Sequence, residues 1–273
     1  MREPIAVVIS TYNNPDFLRL VLNGYAQQSD TNFVIYIADD GSTEETHQLI
    51  HHMAKGFPVP IHHVWHEDHG FRKARIHNIT FSQIAEPYIL LTDGDCIPLP
   101  HMVATHRRLA QQNCMINGSR ILLSAEWTTQ LTQSELFSRP SLWGWWQLKR
   151  QKRVNRILPI FLPPHLSAST PRLSGIHGCH FACFRDDLLR VNGYDESFEG
   201  WGREDSDLVA RLFHAGVQRR NLRGTPVLHL WHHENSRDHL QRNDALLASC
   251  LKEKRVEARR GIRQIHVRTH EKL

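Results

Sequence analysis

Short apolar runs closed by polar loops alternate with stretches of helical periodicity as far as Leu122. Residues 5–9 are apolar throughout and run into Ser10-Thr11-Tyr12-Asn13-Asn14-Pro15, a loop of turn formers, which predicts a buried strand. Phe17, Leu18, Val21, Leu22 and Tyr25 then repeat at helical spacing, predicting a helix over 17–28 with Asp16 as its cap. A second strand, 33–38, ends in Asp39-Asp40-Gly41-Ser42 and is followed by a helix through His47 to Met53. The pattern continues with a strand at 61–65 and a helix over 70–84 whose start is basic (Arg72, Lys73, Arg75). A strand ending at Thr92, a helix near 101–112 and a strand over 115–122 complete it. This alternation predicts an α/β fold, a mostly parallel central sheet with helices on both faces. Ligands in such sheets bind beyond the carboxyl ends of the strands, and Ser10 to Asn13, Asp39 to Ser42 and Asp93 to Asp95 all fall there.

The most pointed chemistry is Asp93-Gly94-Asp95, which closes an apolar run and is followed by Pro98 and Pro100. Carboxylates at the lip of an apolar strand are costly unless something pairs with them. A divalent cation meets that need. Hard oxygens suit Mg²⁺ or Mn²⁺, and the same ion can grip a diphosphate. A plain Asp-Gly turn is the alternative.

Beyond Leu122 the alternation breaks. The segment 124–171 carries Leu142-Trp143-Gly144-Trp145-Trp146, then Lys149, Arg150, Lys152, Arg153 and Arg156, then an apolar, proline-broken stretch over 157–164. Tryptophans beside cations suit an anionic membrane surface, and a core helix or an acceptor lid would have the same composition. A strand over 181–184 and a short helix over 185–191 follow, closed by Asn192-Gly193. Glu204, Asp205 and Asp207 then occupy the first turn of a helix running to Ala215, where the helix dipole favours negative charge. Simple capping needs only one of them. From Arg237 the chain is polar, and 252–268 is basic, which predicts a solvated helical tail or a dock for anionic lipid.

At 273 residues and 40% hydrophobic, the chain can bury a sizeable core. Its net charge is only +5, and acids at three strand ends would repel phosphate without a cation, which counts against a nucleic-acid partner. The five cysteines (Cys96, Cys114, Cys179, Cys183, Cys250) form no CxxC pair, and an odd count suits a reducing compartment. Met1-Arg2-Glu3-Pro4 runs straight into a strand, and no window approaches a membrane-spanning apolar length. The expected location is cytoplasmic, with the inner face of the membrane as a peripheral site.

Val8-Ile9-Ser10-Thr11-Tyr12-Asn13, Ala38-Asp39-Asp40-Gly41-Ser42 and Thr92-Asp93-Gly94-Asp95 resemble the three signatures of family 2 glycosyltransferases, which have the GT-A (nucleotide-diphospho-sugar transferase) fold. The stretch from Gly70 to Asn78 resembles the family's helix start beside the donor, with Ile76-His77 separating Arg75 from Asn78. Trp201 to Asp207 resembles the Trp-Gly-x-Glu-Asp-x-Asp motif of β-1,4-galactosyltransferases and chondroitin-polymerase-type enzymes. The resemblance implies a UDP-sugar donor held by Thr11, Tyr12, Asn13, Asp39, Asp40, Arg72, Arg75, Asn78, Asp93 and Trp201. It implies Mn²⁺ or Mg²⁺ on Asp95 and a downstream histidine, His229 first and His232 second. It implies Asp205 as the base for the acceptor hydroxyl with Glu204 beside it, and hence inversion at the sugar. The implied acceptor is a glycan or lipid-linked glycan of bacterial polysaccharide or lipopolysaccharide synthesis. The implied organisation is one catalytic domain over 1–235, comprising a nucleotide half 1–122, an insertion 123–172 and an acceptor half 173–235, with a basic helical tail over 236–273. A non-catalytic UDP-sugar binder and a basic nucleic-acid-binding protein are the other readings.

Overall fold

A computed structural model describes residues 1–265 apart from 136, 165, 166, 171, 177, 234 and 235. In chain order its strands are β1 (Ile5–Thr11), β2 (Phe33–Asp39), β3 (Ile61–Trp65), β4 (Tyr88–Asp93), β5 (Cys96–Ile97), β6 (Cys114–Asn117), β7 (Arg120–Leu122), β8 (Ala168–Ser169), β9 (His180–Phe184), β10 (Gln218–Asn221) and β11 (Val227–His229). The helices are α1 (Pro15–Ala26), α2 (Glu44–Ala54), α3 (Lys73–Gln83), α4 (Met102–Leu109), α5 (Ala125–Ser134), α6 (Leu142–Arg150), α7 (Leu158–Phe161), α8 (Arg185–Arg190), α9 (Glu204–His214) and α10 (Leu240–Glu253). The main sheet has the order β3-β2-β1-β4-β9-β6-β10-β8, and β5-β11-β7 form a small second sheet. β3, β2, β1 and β4 are mutually parallel, whereas β9 runs antiparallel to both β4 and β6.

Successive strand residues face opposite sides of the sheet. Ile5, Val7 and Ile9 pack with Leu18, Val21, Leu22 and Tyr25 of α1 on one side, while Ala6 and Val8 join Ile76, Phe81, Leu208 and Leu212 of α3 and α9 on the other. Both faces are covered, so the strands read as unbroken apolar runs.

Several local expectations need correction. Asn14, not Asp16, caps α1: its side chain accepts from the Phe17 amide at 3.2 Å, and Pro15 takes the first helical position. The single strand expected over 115–122 is two strands in different sheets. It divides at Gly118, whose amide donates to the His180 carbonyl at 2.7 Å and whose missing Cβ would collide with the His180 ring. β10 carries no apolar pattern. It is held instead by Arg219, a buried guanidinium bonded to the Asn117 side chain and to the carbonyls of Arg172, Ser174 and Gly175.

The segment 252–265 keeps most of its side chains exposed but is anchored at Arg255 and Ala258. Ala258 donates to the Val191 carbonyl at 3.0 Å, and Arg255 lies 3.3 Å from Asp207 and 3.7 Å from Asp195. The chain after α10 therefore packs against α9; Arg268 lies outside the described residues. Arg211 fixes the same helix from within. It is fully buried, bonds Asp207 at 2.7 Å, and donates to the carbonyls of Val191 and Gly193 at 2.7 Å each. Among the described residues no helix is long and apolar enough to cross a membrane.

Candidate active site

Parallel register brings three strand ends to one rim. Thr11 lies beside Asp39, and Ser10 beside Asp93. The turn after β4 is pinned there by Gly94, whose amide donates to the Ser10 carbonyl at 2.7 Å. The Ser10 hydroxyl and the Lys73 ammonium each donate to Asp93 Oδ1 at 2.7 Å. Burial works against charge on Asp93, but Lys73 outweighs it and the carboxyl is held down at about 2.

Asp95 divides its two oxygens. Oδ1 accepts from the Cys96 thiol at 3.1 Å, while Oδ2 faces His229 Nε2 at 3.6 Å and His232 Nε2 at 3.1 Å. The small sheet makes this convergence: His229 on β11 pairs with Cys96 on β5, and the Leu230 amide donates to the Asp95 carbonyl at 2.9 Å. Each imidazole also presents Nδ1 to a carbonyl, His229 to Leu230 at 2.9 Å and His232 to His233 at 2.7 Å. A carbonyl only accepts, so Nδ1 holds a proton and Nε2 is left for the cluster. The three ligand atoms lie within 4.8 Å of one another. The residues therefore fit a divalent cation, and two imidazole donors favour Mn²⁺ over Mg²⁺. The hydrogen bond to Asp95 pushes the His232 pKa up to about 9.

Across from this cluster, α9 begins with the acid pair. Arg203 enters it in the left-handed region, at φ 77, a strained conformation for a side chain of that size. Glu204 is buried and accepts from the Gly202 amide at 3.0 Å. Asp205 is half-buried, and its Oδ1 accepts from the Tyr194 hydroxyl at 2.9 Å. A Cβ at Gly178 would collide with the Asp205 carboxylate, so only glycine lets the backbone approach this closely. Lys73 links the two halves. Burial opposes its charge, but Asp93, then Asp205 and Glu204, outweigh it and hold its pKa well above the usual lysine range.

Burial, then the charge of Asp205, raises Glu204 from 4.5 to about 7. Between those values the native state keeps a proton that the unfolded chain releases, so this residue's contribution to stability falls as pH rises through the window. Glu204→Gln is therefore expected to stabilise the fold by about 1–3 kcal/mol at pH 8 and to change little near pH 4. Thermal unfolding at the two pH values checks it, and equal shifts at both would contradict the assignment.

The residues expected to hold the nucleotide are divided. Asp39 and Asp40 are buried at the rim. Asp39 accepts from the Ser42 amide at 2.8 Å and lies 2.8 Å from His63, while Asp40 lies 2.7 Å from His66 and accepts from the Arg72 amide at 2.8 Å. Thr11 is buried, Tyr12 is exposed with its hydroxyl donating to Asp68 at 2.9 Å, and Asn13 accepts from the Thr43 amide at 2.7 Å. The Arg72 guanidinium is turned to the Glu67 carbonyl. Trp201 is exposed on the loop that leads into α9.

Two of the expected residues are engaged with other partners. Asn78 is fully buried, with both ends of its amide on the Tyr194 backbone at 2.9 and 2.8 Å, so it fastens that loop to α3 and has no face for a nucleotide. Arg75 pairs with Glu196 at 3.0 Å, in a pocket also lined by Phe71, Arg72, Phe198 and Arg260. The contacts of Lys73, Ser10, Tyr194 and the histidines beside Asp39 and Asp40 are made only in the fold and carry no motif in the sequence. The available signal was His63 and His66, on and just beyond the strand that pairs with β2.

This sheet, with its acid-bearing rim and a second acid pair facing it, defines a GT-A fold. The chain belongs to glycosyl transferase family 2: the family's model matches residues 6–187, and the model described as the N-terminal domain of galactosyltransferase matches 167–234. It is similar to validoxylamine A glucosyltransferase of Streptomyces hygroscopicus, with 26% identity over 78% of this chain and 52% of that one. It is also similar to hyaluronan synthase of Pasteurella multocida, with 24% identity over 82% and 24% respectively. The chain thus spans about half the length of the first relative and a quarter of the second. Staphylococcus aureus TarS (residues 1–349), solved with UDP, shares the fold at a TM-score of 0.60 and 13% identity, over 90% of this chain and 64% of that one.

Proposed function

We propose that this glycosyltransferase is divalent-cation-dependent and inverting, and that it moves a hexose or N-acetylhexosamine from a UDP-sugar to a hydroxyl of a glycan. The observation that carries the reading is the convergence of Asp95, His229 and His232, with donor atoms within 4.8 Å of one another, just beyond the strand end where Lys73 bonds Asp93. Asp95, His229 and His232 would hold a cation that offsets the charge developing on the leaving diphosphate. Asp39, Asp40 and Tyr12 line the nucleoside end. Asp205 takes the acceptor proton as that oxygen attacks C1 from the face opposite UDP; the bond from C1 to the phosphate oxygen breaks, and UDP leaves with its electrons. UDP bound to TarS supports the choice of nucleotide, and the hyaluronan synthase supports a glycan acceptor.

A screen of UDP-sugars for hydrolysis and transfer, with Mn²⁺ and with chelator, tests this reading. UDP release from at least one donor, lost with chelator, is expected; equal release without metal would contradict it.

An anionic membrane surface belongs to the same reading, and bacterial envelope polysaccharide or lipopolysaccharide synthesis is its setting. Trp145 is buried edge-on to Trp127, which leaves Leu142, Trp143 and Trp146 exposed on α6. Trp143 stacks on Trp146 with ring centroids 4.7 Å apart, and Arg150 lies over Trp146 at 5.4 Å. Leu158 and Phe161 of α7 are exposed as well. Sedimentation with phosphatidylglycerol vesicles is expected, and it should fall in the Trp143→Ser/Trp146→Ser variant; equal binding to neutral vesicles would sink the idea.

A further inference from the structure

We propose that Tyr194 is a positioning residue for the transfer step: by donating to Asp205 Oδ1 it fixes the carboxylate that takes the acceptor proton and leaves Oδ2 to receive it. The inference rests on the reading of Asp205 as the base. It adds a residue that acts on the reaction only through that carboxylate.

Packing alone asks only for a ring at this position. Tyr194 is buried in one cluster with Phe81, Leu208 and Leu212. Its ring stacks on Phe81 with centroids 6.1 Å apart and is tilted against His77 at 5.1 Å. Phenylalanine would fill the same space. A buried hydroxyl is costly without a partner, and its partner here is a single carboxylate oxygen 2.9 Å away. Burial, then the charge of Asp205, holds the phenol pKa well above the usual tyrosine range, so the hydroxyl keeps its proton and donates it in the hydrogen bond.

The donor is rigid because its backbone is held on both sides. The Tyr194 amide donates to Asn78 Oδ1 at 2.8 Å, and Asn78 Nδ2 donates to the Tyr194 carbonyl at 2.9 Å. Gly193 takes φ 67, and a Cβ there would stand 2.3 Å from Asn78 Oδ1, so only glycine lets the loop come this close. Arg211 of α9 donates to the Gly193 carbonyl at 2.7 Å. The hydroxyl is therefore tied both to α3 and to the helix that carries Asp205. A carboxylate in the first turn of a helix can turn about two side-chain bonds, and a fixed donor selects one orientation. A general base needs that, since its oxygen has to lie within hydrogen-bond reach of the proton it takes. Asp205 Oδ2 accepts no hydrogen bond among the described residues and lies over Gly178, where a Cβ would stand 2.0 Å from it. The same bond separates the two acids. A donated hydrogen bond favours the charged form of its acceptor, so Tyr194 keeps the ionised member of the pair at Asp205, beside a Glu204 that burial and that charge raise to about 7.

Tyr194→Phe removes one oxygen and keeps the ring. The probe is UDP release in water from UDP-glucose, UDP-galactose and their N-acetylhexosamine counterparts, read on the donor turned over fastest, with water in place of the acceptor hydroxyl. The kcat is expected to fall roughly 10- to 100-fold, the usual effect of losing a hydrogen bond to a charged group. Donor KM and UDP affinity, which report a folded nucleotide rim, should be unchanged. In the Asp205→Asn protein the same substitution should alter kcat by less than about twofold, because no base is left to position. Parent kcat in Tyr194→Phe, a raised donor KM in place of a lowered kcat, or the full loss repeated in the Asp205→Asn background would overturn the role of Tyr194. Parent kcat in Asp205→Asn alone would instead overturn the base assignment, and this inference with it.

Discussion

Asp205→Asn is expected to reduce sugar transfer by roughly 10²- to 10⁴-fold, the usual range for loss of a positioned general base. UDP binding should survive. The substitution keeps the shape of the side chain and leaves an amide oxygen to accept from the Tyr194 hydroxyl, so the loop at 192–195 stays in place. What it removes is the ability to take a proton. Glu204 cannot substitute for it, because that side chain is buried and turned to the Gly202 amide. Removing the negative charge also relieves Glu204, whose pKa should fall back toward the ordinary glutamate range. Turnover measured with saturating donor separates these effects. A kcat unchanged from the parent would place the base elsewhere, whereas a changed KM for donor with intact kcat would make Asp205 a binding residue.

The strand pattern made the nucleotide half of the fold legible, because both faces of β1, β2 and β4 are covered and apolar runs have no other home. The acids at their ends were legible for the same reason: a carboxylate that follows such a run has to sit at the rim. The second sheet was not legible. β5 is two residues long and β11 three, too short for any periodicity, yet their pairing brings His229 to Asp95. Sequence could place a histidine on an apolar strand, but not choose between His229 and His232, since both imidazoles reach the same oxygen from successive turns of the chain. β10 escaped notice because its stability rests on a buried arginine and not on an apolar face. In the sequence Lys73 stands only as part of a basic helix start. Its role depends on which side of α3 meets Asp93, and in the same turn Arg75 points instead to Glu196.

Asp95→Ala separates a cation site from an incidental ion pair, because only the first reading predicts a metal-dependent loss. If Asp95 serves a cation, the variant should lose the Mn²⁺-dependent part of UDP affinity by at least about 100-fold, more than second-shell losses of a metal ligand's partner usually cost. Without Mn²⁺ the same variant should bind UDP slightly more tightly than the parent, since a carboxylate that repelled the diphosphate is gone and two histidines remain. If Asp95 merely pairs with His232, metal would matter in neither protein. The fold should tolerate the change. Asp95 and both imidazoles are part-exposed, and the strand pairing that positions them runs through backbone atoms, including the Leu230 amide to the Asp95 carbonyl. Calorimetry of UDP binding to both proteins, with Mn²⁺ and with chelator, gives four affinities. Metal should improve the parent alone; equal affinity in the parent with and without Mn²⁺ would remove the cation from the mechanism, and with it the reason for Asp95, His229 and His232 to meet.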